Sequence, residues 1–506
     1  MNTPAHYSTQ RAKRSLWQFL LGKGCSAGVG IAVLLLTVRI LTPGDFGRFV
    51  AAIAFLEIFY LATGFGLSAI AQRYVAEFRV KAGSQQFTSF LLGMLARRLA
   101  FAAAGALLVA GGATVWAESG APSLPVDISP VFLGLLVAGC ITRYLDEIFP
   151  ALLLQGYTQG LVLAAHCLRL CGLILLPRFG IAIGFSEIVL IELGAALVCT
   201  LGGALLLWRY LTSESAHNST EHHDNPRMWP VARRFYLVQL LGQAWSPNAG
   251  KLIVSERLGL AVTAGYGFIQ SLTDMARNYL PAYLLANWLR PLMVSRYLKQ
   301  GDLLEVNAMA SLMFKLSLMC IVPLAVFFLA WGDRFVEWLS AGKFTEGSAL
   351  LTAFCMLLAC QSLHAVVTMI TATVERPEAS VVATVASCIA LPLAWLGANI
   401  FGAIGVVGAM VAGEGIWIAT VILLLRRSHL SIAVDPLGTA KIILSALPAY
   451  ILATQLPATL HTMHLAIIGL SLSGMTVLAI NAFLKPFLAA ERAFITRLIP
   501  ARLFVW

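Results

Sequence analysis

Charge is what this sequence has least of. Asp, Glu, Lys and Arg make up 12% of 506 residues, about half of what a soluble globular chain carries. With 59% hydrophobic residues and a mean hydropathy of +0.82, the chain cannot coat itself as a water-soluble protein does. Acid is scarcer than base, 24 residues against 35, for a net charge of +11. In a soluble protein that excess suggests nucleic acid. In a membrane chain it collects in cytoplasmic loops, so no nucleic-acid partner is expected. There is no Gly-x-x-x-x-Gly-Lys-Ser/Thr phosphate loop, no loop long enough for a nucleotide-binding domain, and no His-Glu-x-x-His. The nine cysteines all fall in apolar runs. Cys167 and Cys171 are one helical turn apart, but no second pair completes a metal site. The expectation is no catalytic residue, no metal, no cofactor and no enzyme.

What the chain has is apolar runs, each near the length of about 20 residues that a bilayer crossing needs. We place fourteen, near 16–41, 46–69, 88–112, 130–154, 157–176, 186–208, 234–257, 261–286, 304–330, 347–373, 379–398, 403–425, 437–456 and 463–484. They are continuous, not alternating, which excludes a β-barrel. The first is too long for a signal peptide and lacks a cleavage site. Basic residues gather at alternate ends of the runs, which predicts both termini cytoplasmic.

Short polar elbows join the runs, and they recur. Phe46-Gly47 after Thr42-Pro43-Gly44 is answered in the second half by Tyr266-Gly267. Gln155 is answered by Glu375 at the same step, and at nearly that step Gly180 with Glu192 by Gly402 with Glu414, and Arg209 by Arg427. Four matches in order argue for an internal duplication of six runs per half. Six is even, so both halves enter the membrane the same way. The predicted organisation is a cytoplasmic N-terminus (1–15), an N-lobe (16–211), a cytoplasmic linker (212–232), a C-lobe (233–427), a further helix pair (428–484) and a basic cytoplasmic tail (485–506). The linker holds His217, His222 and His223, read as a solvated join and not a zinc site.

Ionisable groups inside a bilayer are costly and should face protein or a water-filled cavity. Lys23 sits among Gly22, Gly24 and Gly28 in the first run, where Gly24-x-x-x-Gly28 marks close helix packing. Glu57 lies mid-way along the second. The seventh carries Gln239, Gln243, Asn248 and Lys251, with a kink expected at Pro247. In the eighth, Gln270, Asp274, Arg277 and Asn278 share one helical face. Asp274 and Arg277 either neutralise each other or line a cavity; the polarity of runs one, two, seven and eight favours the cavity. Arg143 and Glu147 have the spacing to pair within run four, leaving Asp146 to solvent or Arg169. Glu192 and Glu414 offer helix-helix hydrogen bonds or proton binding. Lys315 has no partner legible in the sequence.

Arg39-Ile-Leu-Thr-Pro-Gly-Asp-Phe-Gly-Arg-Phe, with Gly64-Phe-Gly-Leu-Ser and Arg73-Tyr-Val-Ala-Glu, resembles the opening of bacterial polysaccharide-biosynthesis flippases. These belong to the multidrug/oligosaccharidyl-lipid/polysaccharide exporter superfamily. The resemblance is close over the opening of the chain that holds these motifs, and extends to the rest by span count and repeat. It implies an all-α polytopic fold of two six-helix lobes in a V, related by a pseudo-two-fold axis, plus a C-terminal pair. It also implies alternating access for an undecaprenyl-pyrophosphate-linked oligosaccharide across the inner membrane, for O-antigen, capsule or exopolysaccharide synthesis. Lys23, Arg39, Lys251 and Arg277 then suit a pyrophosphate, Gln239, Gln243, Asn248, Gln270 and Asn278 suit sugar hydroxyls, and Trp245 a sugar face. Glu57 and Asp274 are the candidates for coupling to H+ or Na+. Membrane lipids, and a polysaccharide polymerase with its chain-length regulator, are the implied partners. The alternatives are a lipid II flippase, against which the first run lacks a dense arginine cluster, and a multidrug cation antiporter, against which the cations argue. A membrane scaffold without transport, or a membrane polymerase or ligase, are the readings from other classes.

Overall fold

The computed structural model describes residues 9–119, 128–213, 228–300, 303–428, 434–457 and 461–498, with Pro226, Leu430, Ile432 and Thr459. The linker histidines lie outside these residues. All regular structure described is helical. The chain divides into two compact units, Met1–Gln243 and Ala244–Trp506.

Unit 1 contains α1 (Thr9–Ile40), α2 (Pro43–Ala62), α3 (Leu67–Lys81), α4 (Ser84–Glu118), α5 (Pro130–Ala151), α6 (Gln155–Arg178), α7 (Phe185–Ser213) and α8 (Met228–Gly242). Unit 2 contains α9 (Pro247–Arg257), α10 (Leu260–Arg277), α11 (Pro281–Leu284), α12 (Ala286–Gln300), α13 (Leu304–Ser340), α14 (Ser348–Thr373), α15 (Pro377–Ser387), α16 (Ala390–Arg427), α17 (Pro436–Leu444), α18 (Ala446–Thr454), α19 (Thr462–Leu484) and α20 (Ala489–Leu498). Among the described residues, nine helices are long and apolar enough to cross a membrane, or ten if the bent pair α2–α3 counts as one span. This is a multi-pass membrane protein. Every one of the fourteen apolar stretches holds helix. Those outside the apolar count carry the charges: α5 has Arg143, Asp146 and Glu147, and α10 has Asp274 and Arg277.

The elbows form as their residues dictate. Thr42 caps α2, its hydroxyl accepting from the Asp45 amide at 3.1 Å, with Pro43 in the first turn, where the missing N–H costs nothing. Stretch seven breaks where the kink was expected. A 3-10 turn at Gln243–Trp245 is followed by Ser246, which caps α9, with Pro247 at its start. α16 reverses at Gly402, whose φ of 61° and ψ of −144° suit glycine. Its two arms pack backbone against backbone at Gly397 and Gly405, so α16 is a hairpin. The left-handed residues repeat: Glu375 follows Leu153 by the same interval at which Gly402 follows Gly180.

One packing expectation is corrected. A side chain added at Gly24 or Gly28 would meet nothing within 4 Å among the described residues. The glycines of α1 that approach α6 are Gly22, against Gln159, and Gly30, against His166. Gly24-Cys25-Ser26-Ala27-Gly28 also spells the Gly-x-Ser-x-Gly string of hydrolases, but it lies within α1 and has no strand-to-helix turn to present the serine.

Candidate functional site

In unit 1, α2 and α5 bring Glu57 and Arg143 together. Arg143 Nε donates to Glu57 Oε2 at 3.1 Å, and its Nη2 donates to Oε1. This two-pronged pair replaces the Arg143–Glu147 pair expected from the spacing. The i, i+4 neighbours of α5 lose to a partner on the next helix because both Glu57 oxygens lie within reach of one guanidinium. Glu147 lies instead beside Tyr60, Ser68, Gln72 and Arg98. Arg98 is fully buried. Its Nη2 donates to the Tyr60 carbonyl at 2.7 Å, and its guanidinium sits 4.3 Å over the Tyr60 ring. Arg98 Nε and Nη1 and Glu147 Oε2 have no hydrogen-bond partner among the described residues. Arg169 pairs with Glu192 at 2.8 Å, and so is not the partner of Asp146; it also donates to His166 Nδ1 at 3.3 Å. Lys23 is half-buried on α1 and Arg39 exposed in its last turn. Neither takes Glu57, which is held by Arg143. Gln239 and Gln243 are half-buried at the end of the unit.

In unit 2, Lys251 is 9% exposed on α9, next to Gly250, which packs on Met410 and the Tyr266 hydroxyl. Asn248 is half-buried one turn earlier. On α10, Gln270 is buried, and its Nε2 donates to Asp274 at 3.4 Å. Asp274 in turn pairs with Arg277 at 3.3 Å, and Arg277 lies 5.9 Å over the Tyr283 ring. Gln270 Oε1 has no partner among the described residues. The shared face therefore exists as a chain of contacts from Gln270 to Tyr283, while Asn278 is exposed just beyond the helix end. Trp245 is packed into the unit 2 core against Gly413 and presents no open face to a sugar.

Two groupings escaped the sequence. His364 on α14 meets Glu414 on α16, Nδ1 to Oε2 at 2.6 Å, and its ring stacks on Trp417 with centroids 3.7 Å apart. A lone histidine in an apolar run was the signal. Lys315, whose partners the sequence did not reveal, is fully buried on α13 and donates to Asp435 at 2.7 Å, to the Pro486 carbonyl at 2.8 Å and to Glu491 at 2.8 Å. Asp435 precedes α17 and Glu491 lies on α20, so sequence distance hid both. Burial alone would raise the Asp435 pKa, but hydrogen bonds from Lys315 and from the Gly438 and Leu437 amides hold it below the usual carboxylate range. Among the described residues, no group of three or more His, Cys, Asp or Glu side chains is placed to hold a metal ion.

No protein-family model matches the chain, and no curated protein matches it by sequence. Solved structures do match its fold. A lipid II flippase, MurJ, in an inward closed conformation aligns with 92% of this chain and 98% of its own, at a TM-score of 0.64 and 13% identity. A multidrug resistance MATE family transporter of the MOP superfamily, inward-facing, aligns with 80% of this chain and 95% of its own, at 0.57 and 14%. An outward-facing structure of a transporter of the same description aligns with 83% and 96%, at 0.54 and 15%.

Proposed function

We propose that this chain is a flippase that moves undecaprenyl-pyrophosphate-linked oligosaccharide repeat units across the bacterial inner membrane by alternating access. The observation that supports it most is the end-to-end likeness in fold to a lipid II flippase, covering 92% of this chain and 98% of the other. The opening motif and the cations Lys23, Arg39, Lys251 and Arg277 favour a pyrophosphate-bearing lipid over a cationic drug. Gln243, Asn248, Gln270 and Asn278 are the proposed sugar contacts. The lipid tail stays in the bilayer while the head group crosses. The repeat unit then feeds O-antigen, capsule or exopolysaccharide synthesis through a polymerase and chain-length regulator, with no chemistry by this chain itself. Glu57 and Asp274 remain the proposed coupling carboxylates for H+ or Na+. Each is ion-paired, so loading either one means loosening Arg143 or Arg277.

The test is mass spectrometry of lipid-linked oligosaccharides from a strain lacking the protein, with and without restored expression. The expected result is an undecaprenyl-pyrophosphate oligosaccharide that accumulates and clears on restoration. Accumulated lipid II would favour the peptidoglycan-precursor reading. A normal lipid profile with new sensitivity to cationic dyes would favour the drug antiporter.

A further inference from the structure

Glu192 and Glu414 hold matching places in the sequence repeat. Both are buried, at 8% and 6% exposure. Their partners differ in kind. Glu192 is held by Arg169, whose guanidinium does not give up its proton in proteins, so that pair is permanent. Glu414 is held by His364, the one side chain whose ordinary titration lies between about pH 5 and 8. The 2.6 Å contact from Nδ1 to Oε2 is that of a charge-assisted hydrogen bond. The imidazole also lies flat on Trp417, 10° from parallel. With 27% of its side chain exposed against 8% for Glu414, His364 is the open end of the pair.

We propose that His364 and Glu414 form a proton-binding site of unit 2, filled and emptied through the imidazole, whose equivalent in unit 1 is locked by Arg169. When filled, the proton completes an imidazolium bridged to the Glu414 carboxylate. When emptied, it leaves to water and a neutral imidazole remains beside the carboxylate. The surroundings make that change consequential. Cys360 lies one turn before His364 on α14, and Arg277 lies 5.9 Å over the Tyr283 ring of α11. From α15, Thr384 accepts from Trp417 Nε1 at 3.3 Å, and Cys388 bonds back to the Thr384 carbonyl. The α13 cation Lys315 is committed to Asp435 and Glu491. On α12, Arg296 pairs with Glu305, and Arg290 is exposed. The site lies in the same unit as the Asp274–Arg277 pair on the face proposed to bind substrate. Its role in transport rests on the function proposed above; its existence as a titrating site does not.

The purified full chain in lipid nanodiscs tests this by tryptophan fluorescence against pH. A protonated imidazole quenches an indole stacked on it. The expected trace has a step between about pH 5 and 8 that disappears in His364→Gln and in Trp417→Phe. In Glu414→Gln the step falls at lower pH, because the carboxylate that stabilised the imidazolium is gone. A wild-type trace with no step, or a step untouched by His364→Gln, overturns the site. Should His364→Gln not yield folded protein, His364→Asn is read in the same way. For the coupling, proteoliposomes carry the oligosaccharide lipid recovered from the deletion strain. Flux that depends on a pH gradient in wild type but not in Glu414→Gln supports the role, and an unaltered dependence overturns it. If wild type moves no lipid at all, the flippase reading fails while the fluorescence result stands.

Discussion

A lysine with none of its side chain exposed survives inside a protein only when its charge is matched. Lys315 has two carboxylates and a carbonyl within 3.0 Å. Removing one partner of a buried ion pair costs about 3–5 kcal/mol, because the other charge is left behind. Lys315→Met therefore strands Glu491 and Asp435, and a markedly lower thermal unfolding midpoint is expected. Lys315→Met combined with Glu491→Leu should recover much of that loss, and a double mutant no more stable than the single would refute the clamp. Asp435 gives the same cluster a pH signature. Its pKa is depressed in the folded chain, so the stability it contributes is present above the ordinary carboxylate pKa of about 4 and lost as pH falls through the folded value. Unfolding followed from pH 6 downward should show an acid loss that is smaller in Asp435→Asn. At Glu57, replacement by Gln leaves Arg143 without its carboxylate. Transport whose pH dependence is unchanged by Glu57→Gln would remove Glu57 from the coupling role.

Helix ends and turns carry a different set of constraints. The α16 hairpin depends on one residue with a backbone that side chains rarely adopt, Gly402, and on two glycines whose backbones touch. Gly402→Ala should cost about 1–3 kcal/mol, read as a lower melting temperature in detergent. Gly405→Val should cost more, since its Cβ would overlap the Gly397 backbone. The cap at Ser246 is a milder case. Ser246→Ala loses the bond to the Ala249 amide and should cost about 0.5–2 kcal/mol. A Gly402→Ala protein as stable as wild type would mean that the two arms reverse by some other route.

At the scale of the whole chain, composition forces most of the architecture. Backbone N–H and C=O groups cannot be left unpaired in hydrocarbon, so a chain this apolar must resolve into helices. The alternation of basic ends sets an orientation that fusion reporters can check. Green fluorescent protein joined to either terminus should fluoresce, as it does only in the cytoplasm. Alkaline phosphatase joined after Arg178 should be active outside. Phosphatase activity at the C-terminus would overturn the predicted orientation.

The helices were legible because they rest on local rules: apolar length, and Pro and Gly at ends. The break at Pro247 and the polar face of α10 followed from the same periodicity. Charge partners did not. Arg143 finds Glu57 across 86 residues and Lys315 finds Glu491 across 176, and within an apolar core a charge takes whichever opposite charge packing brings into reach, not the nearest in sequence. Local i, i+4 spacing is a guide on a solvated helix surface, where other choices are equally distant. So the sequence alone determined what kind of chain this is, though not every turn: the stretch read as one run over 46–69 breaks between α2 and α3. Only the tertiary structure decided which charges meet, because burial makes an unpaired charge too costly and pairing depends on distance in space.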